Sequence, residues 1–314
     1  MYTNSLWVLY KKEMADHLRS KRFIIIMILV AVTGLSSIYA AASGIRETVS
    51  EQGKDFVFLR LFTTSGNSIP SFISFMSFLG PLVGLALGFD AINGEINKST
   101  LSRLLAQPIP RDTVINGKFL AGITIIALMV ITLGVAIGGL GIIMIGVPPT
   151  LEELLRIIVF LIFTILYMSL WLAVSQLFSL FFKQTATSAL ACIAIWLFLS
   201  VFVGLLSGVI TEALFPASSS TTVDVLLRKS QVKLMLNRLS PSTIYDELTV
   251  TLLNPGVRTL GPITQEQLVG AIAGALPFFQ SLLLVWPHLV SLIAINMICF
   301  TVSYIYFMRQ EIRA

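Results

Sequence analysis

The segment FDAINGEINKSTLSRLLAQPIPRD, residues 89–112, is a charged, helix-forming stretch that ends in prolines and lies between two apolar runs. LGPLVGLALG precedes it, and FLAGITIIALMVITLGVAIGG follows shortly after it. Charged side chains are costly within a bilayer, so a segment of this composition belongs at a membrane surface, between two membrane helices. The question it raises is why a chain this apolar keeps one polar helix there.

Composition determines the broad class of the chain. Its 314 residues are 56% hydrophobic and 12% charged, with a mean hydropathy of +0.89. A bilayer core about 30 Å thick requires roughly 20 mostly apolar residues per helix. We therefore predict an all-α polytopic membrane protein with six transmembrane helices, at residues 23–43, 72–92, 117–146, 153–182, 186–211 and 284–308.

Three polar segments complete this single membrane domain of residues 1–314. Residues 1–22 predict an interfacial helix, in which Leu6, Tyr10, Met14 and Leu18 recur at spacings of four. Residues 93–116 form an inner loop. Residues 212–283 form an insertion with one amphipathic helix around Leu226 to Leu239 and a second in TQEQLVGAIAGALPFF. The insertion either caps an exit path or packs over the ends of the spans.

The distribution of Lys and Arg predicts the orientation of the chain. Most of the basic residues near the spans flank the N-terminus, the 93–116 loop, residue 183 and the C-terminus, which places these segments in the cytoplasm. Both termini are then cytoplasmic, and the protein lies in the plasma membrane with 212–283 outside. The net charge of +5 reflects this topology, so we predict no nucleic-acid partner. A cleaved signal peptide is the alternative for the first apolar run, which ends in IYAAASG.

The 93–116 loop has the features of a short, stiff helix. Ser99 or Thr100 can cap it, and an apolar edge follows at Leu101, Leu104 and Leu105. Pro108 and Pro110 then stop it, because proline disfavours helical geometry in the preceding residue. A stiff helix joined to two spans transmits a push from a soluble partner.

Charges flank this helix at the mouth of the two spans. Asp90 and Glu95 precede it, and Arg111 and Lys118 follow it, so the acids and bases can pair across the loop. Taken alone, they are equally typical of ordinary helix ends. In the preceding span, Gly80, Gly84 and Gly88 permit close helix packing or bending, and we favour packing. At the other end, Thr150 and Glu153 predict a capping box.

The loop resembles the signature of ABC-type-2 transporter permeases. FDAINGE, TLSRLLAQPIPR and GKF match the family pattern F-D-x-I-x-G-E, T-L-x-x-L-L-x-x-P-x-x-R and G-K-F. The motif covers only this loop and its borders, whereas the six-span topology agrees over the whole chain. The resemblance implies a permease that pairs with a second copy, as a homodimer or a closely related heterodimer, each copy docking a separate ATP-binding subunit.

The resemblance also assigns roles to residues. The segment 94–107 is implied to be the coupling helix, with Asp90, Arg111 and Lys118 anchoring the loop. The implied coupling residues are Gly94, Glu95, Thr100, Leu101, Leu104, Leu105 and Pro108. ATP and magnesium are expected in the partner subunit, because the chain contains no G-x-x-x-x-G-K-[ST] phosphate loop.

Other chemistry has little support in the sequence. There is no H-E-x-x-H or G-x-S-x-G motif, and the two cysteines, Cys192 and Cys299, lie inside predicted spans. We therefore predict no catalytic, cofactor or metal site in this chain. The spans also lack deep ionisable residues, which disfavours an ion-coupled secondary transporter.

The sequence thus predicts the permease subunit of an exporter, which forms the translocation path for a substrate from the cytoplasm or the inner leaflet. One alternative is a non-transporting protein that uses the same ATP-driven motion to act mechanically through residues 212–283. A weaker alternative is an ATP-independent scaffold or sensor. The substrate itself is not predicted.

Overall fold

A computed structural model describes residues 2–48, 56–65, 69–107, 109–216, 223–258, 260 and 275–310. In these ranges the regular structure is helical. The helices are α1 (Tyr2–Arg19), α2 (Lys21–Thr48), α3 (Val57–Thr63), α4 (Phe72–Gly88), α5 (Asn93–Asn97), α6 (Thr100–Leu105), α7 (Arg111–Ile145), α8 (Leu151–Phe181), α9 (Thr185–Leu197), α10 (Val203–Leu214), α11 (Val223–Asn237), α12 (Pro241–Leu253) and α13 (Phe278–Arg309), with a π-helical turn at Phe198–Phe202 between α9 and α10.

Six helical segments in the described ranges are long and apolar enough to cross a membrane, which confirms the predicted all-α architecture. They are Lys21–Ser43, Phe72–Asn97, Arg111–Ile145, Leu151–Phe181, Thr185–Leu214 and Phe278–Arg309. The third and the last begin earlier in the chain than predicted, because apolar periodicity does not reveal where a helix extends past the hydrocarbon region.

The bundle has two ends, which we name by their elements. The coupling end contains α1, α5 and α6. The far end contains α3 and the turn before α8, where Thr150 accepts from the backbone of Glu153 and Glu153 bonds back to Thr150. This confirms the predicted capping box. α3 was not predicted, although its apolar side chains, among them Leu61 and Phe62, are buried.

Two glycines bring α4 and α8 into close contact. A Cβ atom at Gly84 would lie 2.4 Å from the carbonyl oxygen of Met168, and one at Gly88 would lie 2.0 Å from Ser175 Oγ. Neither space accepts a methyl group, so the two backbones meet over these positions. Ser175 Oγ also donates to the carbonyl oxygen of Gly84 over 3.2 Å. The glycines therefore serve packing, as predicted.

Replacing Gly84 with Ala is expected to lower the melting temperature of the chain in detergent, because overpacking typically costs about 1–3 kcal/mol. Gly138→Ala is the matched control, since Gly138 also lies inside a long membrane helix and nothing lies within 4 Å of its added Cβ. Equal melting temperatures for the two variants would show that the α4–α8 contact accommodates an added methyl group at little cost.

The insertion enters the bundle from the far end as two consecutive helices, α11 and α12, which we call the hairpin. α11 packs on α10, and α12 packs on α8 and α13. Ser207 of α10 hydrogen-bonds Asn237 at the end of α11, below the outer end of α10. In α12, Tyr245 stacks on Tyr167, with ring centroids 4.3 Å apart, and its hydroxyl lies 2.9 Å from Thr164 Oγ1. α12 thus packs among the spans, a position that neither of the two alternatives for the insertion includes.

The sequence identified only part of this hairpin. α11 corresponds to the first predicted helix, whereas most of the second predicted helix lies outside the described residues. α12 was missed, although Ser240-Pro241 is a typical helix start and Ile244, Leu248 and Leu252 recur at spacings of four. It also carries Glu247, whose carboxylate lies 2.6 Å from His288 and 2.9 Å from Arg238.

Arg156 fixes the hairpin to α8. Its side chain is fully buried, and its guanidinium donates to the carbonyl oxygens of Leu252 and Leu276 over 2.7 and 2.6 Å. It also donates to Ser281 Oγ over 3.1 Å and twice to Glu152 over 2.8 and 3.1 Å. All five N–H donors of the guanidinium are therefore satisfied. One side chain joins α8, the end of α12 and the start of α13.

Arg156→Gln is expected to loosen the hairpin, because each buried carbonyl that loses its partner costs about 1–3 kcal/mol. Limited proteolysis in detergent should then cleave within residues 223–276 several times faster than in the unmodified chain. Arg228→Gln is the control, since Arg228 is exposed on α11. Unchanged cleavage in Arg156→Gln would show that apolar packing alone holds the hairpin.

Candidate functional site

We call α5 and α6, with the residues between them, the coupling segment. It consists of two short helices, whereas the sequence predicted a single helix. α6 begins at Thr100, as predicted, but α5 precedes it, and Ser99 separates the two with a left-handed backbone at φ 54°. The Thr100 hydroxyl lies 3.1 Å from the backbone oxygen of Glu95 and also contacts the Glu95 carboxylate. These bonds hold α6 against α5 across the break.

α5 is bound to the end of α8. Ser179 Oγ accepts hydrogen bonds from the backbone N–H groups of Ile92 and Asn93 over 2.8 and 3.1 Å. The Asn93 side chain donates to the carbonyl oxygen of Phe182 over 3.1 Å. Asn97 makes the corresponding bond to Lys183 over 3.2 Å. The start of the coupling segment therefore moves only together with the end of α8.

A small apolar cluster lies beneath α6. Leu101 is 1% exposed and Leu104 is partly buried, so the predicted apolar edge faces the bundle in this part. The other buried members of the cluster come from four further helices and the turn before α5, and are Leu9, Ile92, Val114, Ile115, Leu180 and Phe307. Leu101 thus holds the segment down on α1, α7, α8 and α13, and its side chain is not available to a partner.

A buried ion cluster joins the three helices α1, α5 and α7. The Lys118 ammonium of α7 lies 2.9 Å from Glu13 of α1 and 3.2 Å from Glu95 of α5. The side chains of Lys118 and Glu13 are 5% and 7% exposed. Lys12 also contacts Glu13 and Glu95, at 3.1 and 3.3 Å. One predicted charge pair across the loop, Glu95 with Lys118, is therefore present.

Glu13 is ionised in this cluster at neutral pH. Burial alone would raise the pKa of its carboxyl, but the Lys118 and Lys12 ammonium groups outweigh that effect and hold the pKa below its ordinary 4.5. Since the pKa is lower in the folded state, the carboxylate stabilises the fold above pH 4.5. That stabilisation is lost as the pH falls through the folded-state pKa.

The other two predicted charges have different partners. Asp90 accepts from Arg22 of α2 over 2.7 Å, and Arg111 donates to the carbonyl oxygen of Gln310, beyond the end of α13, over 2.9 Å. The loop is therefore attached at both borders, to α2 before α5 and to the end of α13 after α6.

Comparison with known proteins agrees with this architecture. The model of the ABC-2 family transporter proteins matches residues 7–312. The chain belongs to the ABC-2 family. The chain is similar to two curated relatives, each named as a probable ABC transporter permease protein NosY. The one from Stutzerimonas stutzeri is 36% identical over 130 residues, which cover 41% of this chain and 42% of the relative. The one from Pseudomonas aeruginosa is 35% identical over 125 residues, or 39% and 40%.

The matched segments thus span about two fifths of these relatives. ABC-2 membership confirms the predicted family, and together with the six apolar helices it makes the chain a multi-pass ABC transporter permease.

The structure brings most of the predicted site residues together at the coupling end. Glu95, Thr100, Leu101 and Lys118 join α5 and α6 to the bundle, and Gly94 lines the cavity beside them. Pro108 and the side chain of Leu105 lie outside the described residues. The exposed face of the segment is formed by other residues, namely Ile96, Asn97, Lys98, Ala106 and Gln107.

Sequence reasoning missed the partners of the segment. Ser179 and Glu13 have no local signal, since a serine in an apolar helix and an acid in a charged helix are both common. The face that α1 buries against the bundle was not predicted. Its buried residues are Leu9 and Glu13, whereas Leu18 of the predicted stripe is exposed. Leu9 and Glu13 are four residues apart and therefore lie on one face of α1. The burial of an acid on that face is explained only by its buried partner Lys118.

Replacing Lys118 with Met removes the buried cation that Glu13 and Glu95 share and leaves them only the more exposed Lys12. Removing one partner of a buried pair typically costs about 3–5 kcal/mol. The melting temperature at neutral pH should fall clearly, while Lys183→Met, which removes an exposed lysine at the same end, should have little effect.

The difference between the unmodified chain and Lys118→Met should shrink at a pH well below 4.5, because protonated Glu13 no longer needs the cation. A difference that is independent of pH would show that Lys118 acts through packing and not through its charge.

Proposed function

We propose that this chain forms the translocation path of an ATP-driven exporter and is driven by a separate ATPase that docks on α5 and α6. The observation that carries this proposal is the attachment of the coupling segment. Its buried side binds α1, α7 and α8, and its other side is exposed. A segment built in this way passes a force to several membrane helices at once.

The docking residues divide into two groups under this proposal. Ile96, which is 39% exposed, faces outward and makes the contact with the ATPase. Glu95, Thr100 and Leu101 hold the segment in position from within. The remaining residues of the family motif, Gly94, Leu104, Leu105 and Pro108, shape the segment, and Asp90, Arg111 and Lys118 anchor its borders.

The coupling end faces the cytoplasm in this proposal. Lys11, Lys21, Lys98, Lys183 and Arg309 all lie at this end, in agreement with the bias of basic residues toward cytoplasmic segments. Both termini are then cytoplasmic, and the hairpin of α11 and α12 reaches into the bundle from outside. ATP and magnesium are held by the ATPase.

A second permease copy completes the path, as a homodimer or a closely related heterodimer. Closure of two ATPases around ATP would push both coupling segments, and α4 and α8 would follow because Gly84 and Gly88 hold them in contact. The substrate would then leave from the cytoplasm or the inner leaflet toward the far end.

One observation favours a second candidate, in which the motion acts on a partner outside the membrane without transport. α8 binds the coupling segment through Ser179 at one end and the hairpin through Arg156 at the other. A displacement of α8 therefore reaches the hairpin directly. Vectorial movement of a solute in reconstituted vesicles separates the two candidates.

The docking proposal is tested with Ile96→Asp. A carboxylate in the centre of an apolar contact should reduce the amount of ATPase that co-purifies with the tagged chain by about tenfold or more, since hot-spot contacts contribute about 2 kcal/mol or more. Membrane insertion should be unchanged, because the side chain is outward-facing.

Val147→Asp is the matched control, since Val147 is 55% exposed at the far end. Its variant should retain the ATPase and its hydrolysis. Full retention of the ATPase by Ile96→Asp would contradict docking on this face.

A further inference from the structure

A cavity of about 420 Å³ lies at the coupling end, beside the ion cluster and between α1, α2, α4, α5 and α8. Its volume falls within the range of roughly 300–1,000 Å³ that small-molecule sites occupy. Neither the docking surface nor the α4–α8 contact accounts for this cavity.

The lining changes character along the cavity. One part is apolar and comes from the membrane helices, with Phe23 and Ile26 of α2, Val83 and Leu87 of α4, and Leu172 of α8. The other part is charged and comes from α1, α5, α7 and the ends of α2 and α4. The cavity therefore crosses the level at which the spans meet the membrane surface, so its occupant must itself be amphipathic.

The charged part presents both signs in equal number. Four cations, Lys12, Arg22, Lys98 and Lys118, face four anions, Glu13, Asp16, Asp90 and Glu95. Lys118 is used by the buried cluster, but Lys98 is exposed and has no ion pair among the described residues. Arg22 holds Asp90 with one terminal nitrogen and remains 55% exposed. These two cations have capacity for a phosphate.

Two further residues of the lining, Gln176 and Asp16, offer hydrogen-bond acceptors. Gln176 is 1% exposed, and its Oε1 has no partner within the described part of the chain. Buried polar atoms nearly always have a partner, so an unpaired acceptor in a cavity wall indicates that a donor is supplied from elsewhere. Asp16 is 60% exposed and is paired with Lys12 alone among the described ion pairs, at 3.3 Å. Its carboxylate accepts further donors.

We infer that this cavity binds the head group of a phospholipid that carries a phosphate and a primary ammonium, as in phosphatidylethanolamine. Arg22 and Lys98 hold the phosphate, and Asp16 and Gln176 accept from the ammonium. The volume accommodates a head group and not the acyl chains, which extend along Ile24, Ile28 and the other exposed apolar residues of α2 into the bilayer. The lipid thus binds α1, α2 and α5 together at the coupling end.

The test compares two lipids by native mass spectrometry of the delipidated full chain in detergent. Phosphatidylcholine has the same phosphate and charge as phosphatidylethanolamine, but its trimethylammonium donates no hydrogen bond. Retention of phosphatidylethanolamine should be about tenfold stronger, which corresponds to one hydrogen bond to a charged group. Equal retention of the two lipids would overturn the assignment of Asp16 and Gln176.

Variants locate the site. The double variant Arg22→Gln with Lys98→Ala should lose retention, and Gln176→Leu should lose the preference between the two lipids. Lys183→Ala removes an exposed lysine at the same end that does not line the cavity, and it should behave as the unmodified chain. Undiminished retention by the double variant would place the lipid elsewhere.

Soluble phosphoethanolamine distinguishes a lipid from a free phosphate compound. It should bind far more weakly than the lipid, because it lacks the chains that pack on α2. Binding as tight as that of the lipid would show that the cavity takes a soluble ligand. Both outcomes are independent of the ATPase, so failure of this inference leaves the docking proposal untouched.

Discussion

The close contact of α4 with α8 determines how the two ends of this protein are joined. Two missing side chains, at Gly84 and Gly88, let the backbones approach to a distance that even alanine would prevent. α4 continues into the coupling segment, and α8 binds that segment at one end and the inserted hairpin at the other. Because protein interiors are close-packed and deform little, a push on one end is felt at the other.

Polar contacts then fix what the apolar bundle leaves undetermined. Within a membrane, apolar side chains gain little hydrophobic free energy by leaving lipid for each other. They therefore do not specify the position of a short surface segment. The shared Lys118 and the Ser179 bonds supply that position at the coupling end, and Arg156 supplies it at the far end. Each buried charge has its partners within reach, as its desolvation requires.

The sequence predicted those parts of the fold that depend on local patterns. Uncharged runs predicted the six spans, and Thr150 with Glu153 predicted the start of a helix. The FDAINGE motif indicated the family. What it missed depends on distant partners. The helical pattern of α12 is local, but its place among the spans depends on the contact of Tyr245 with Tyr167. Glu13 has the pattern of a solvated acid, and its burial depends on Lys118. The break at Ser99 was missed because a left-handed serine has no pattern of its own.

Lysine cross-linking in native membranes shows whether an ATPase drives this permease from the coupling end. The chain offers reactive lysines on both sides, with Lys98 and Lys183 at the coupling end and Lys229 and Lys233 on the hairpin. We expect a protein with a nucleotide-binding P-loop to be cross-linked through Lys98 or Lys183. A P-loop protein that cross-links only through Lys229 or Lys233, or cross-linked partners without one, would contradict the account.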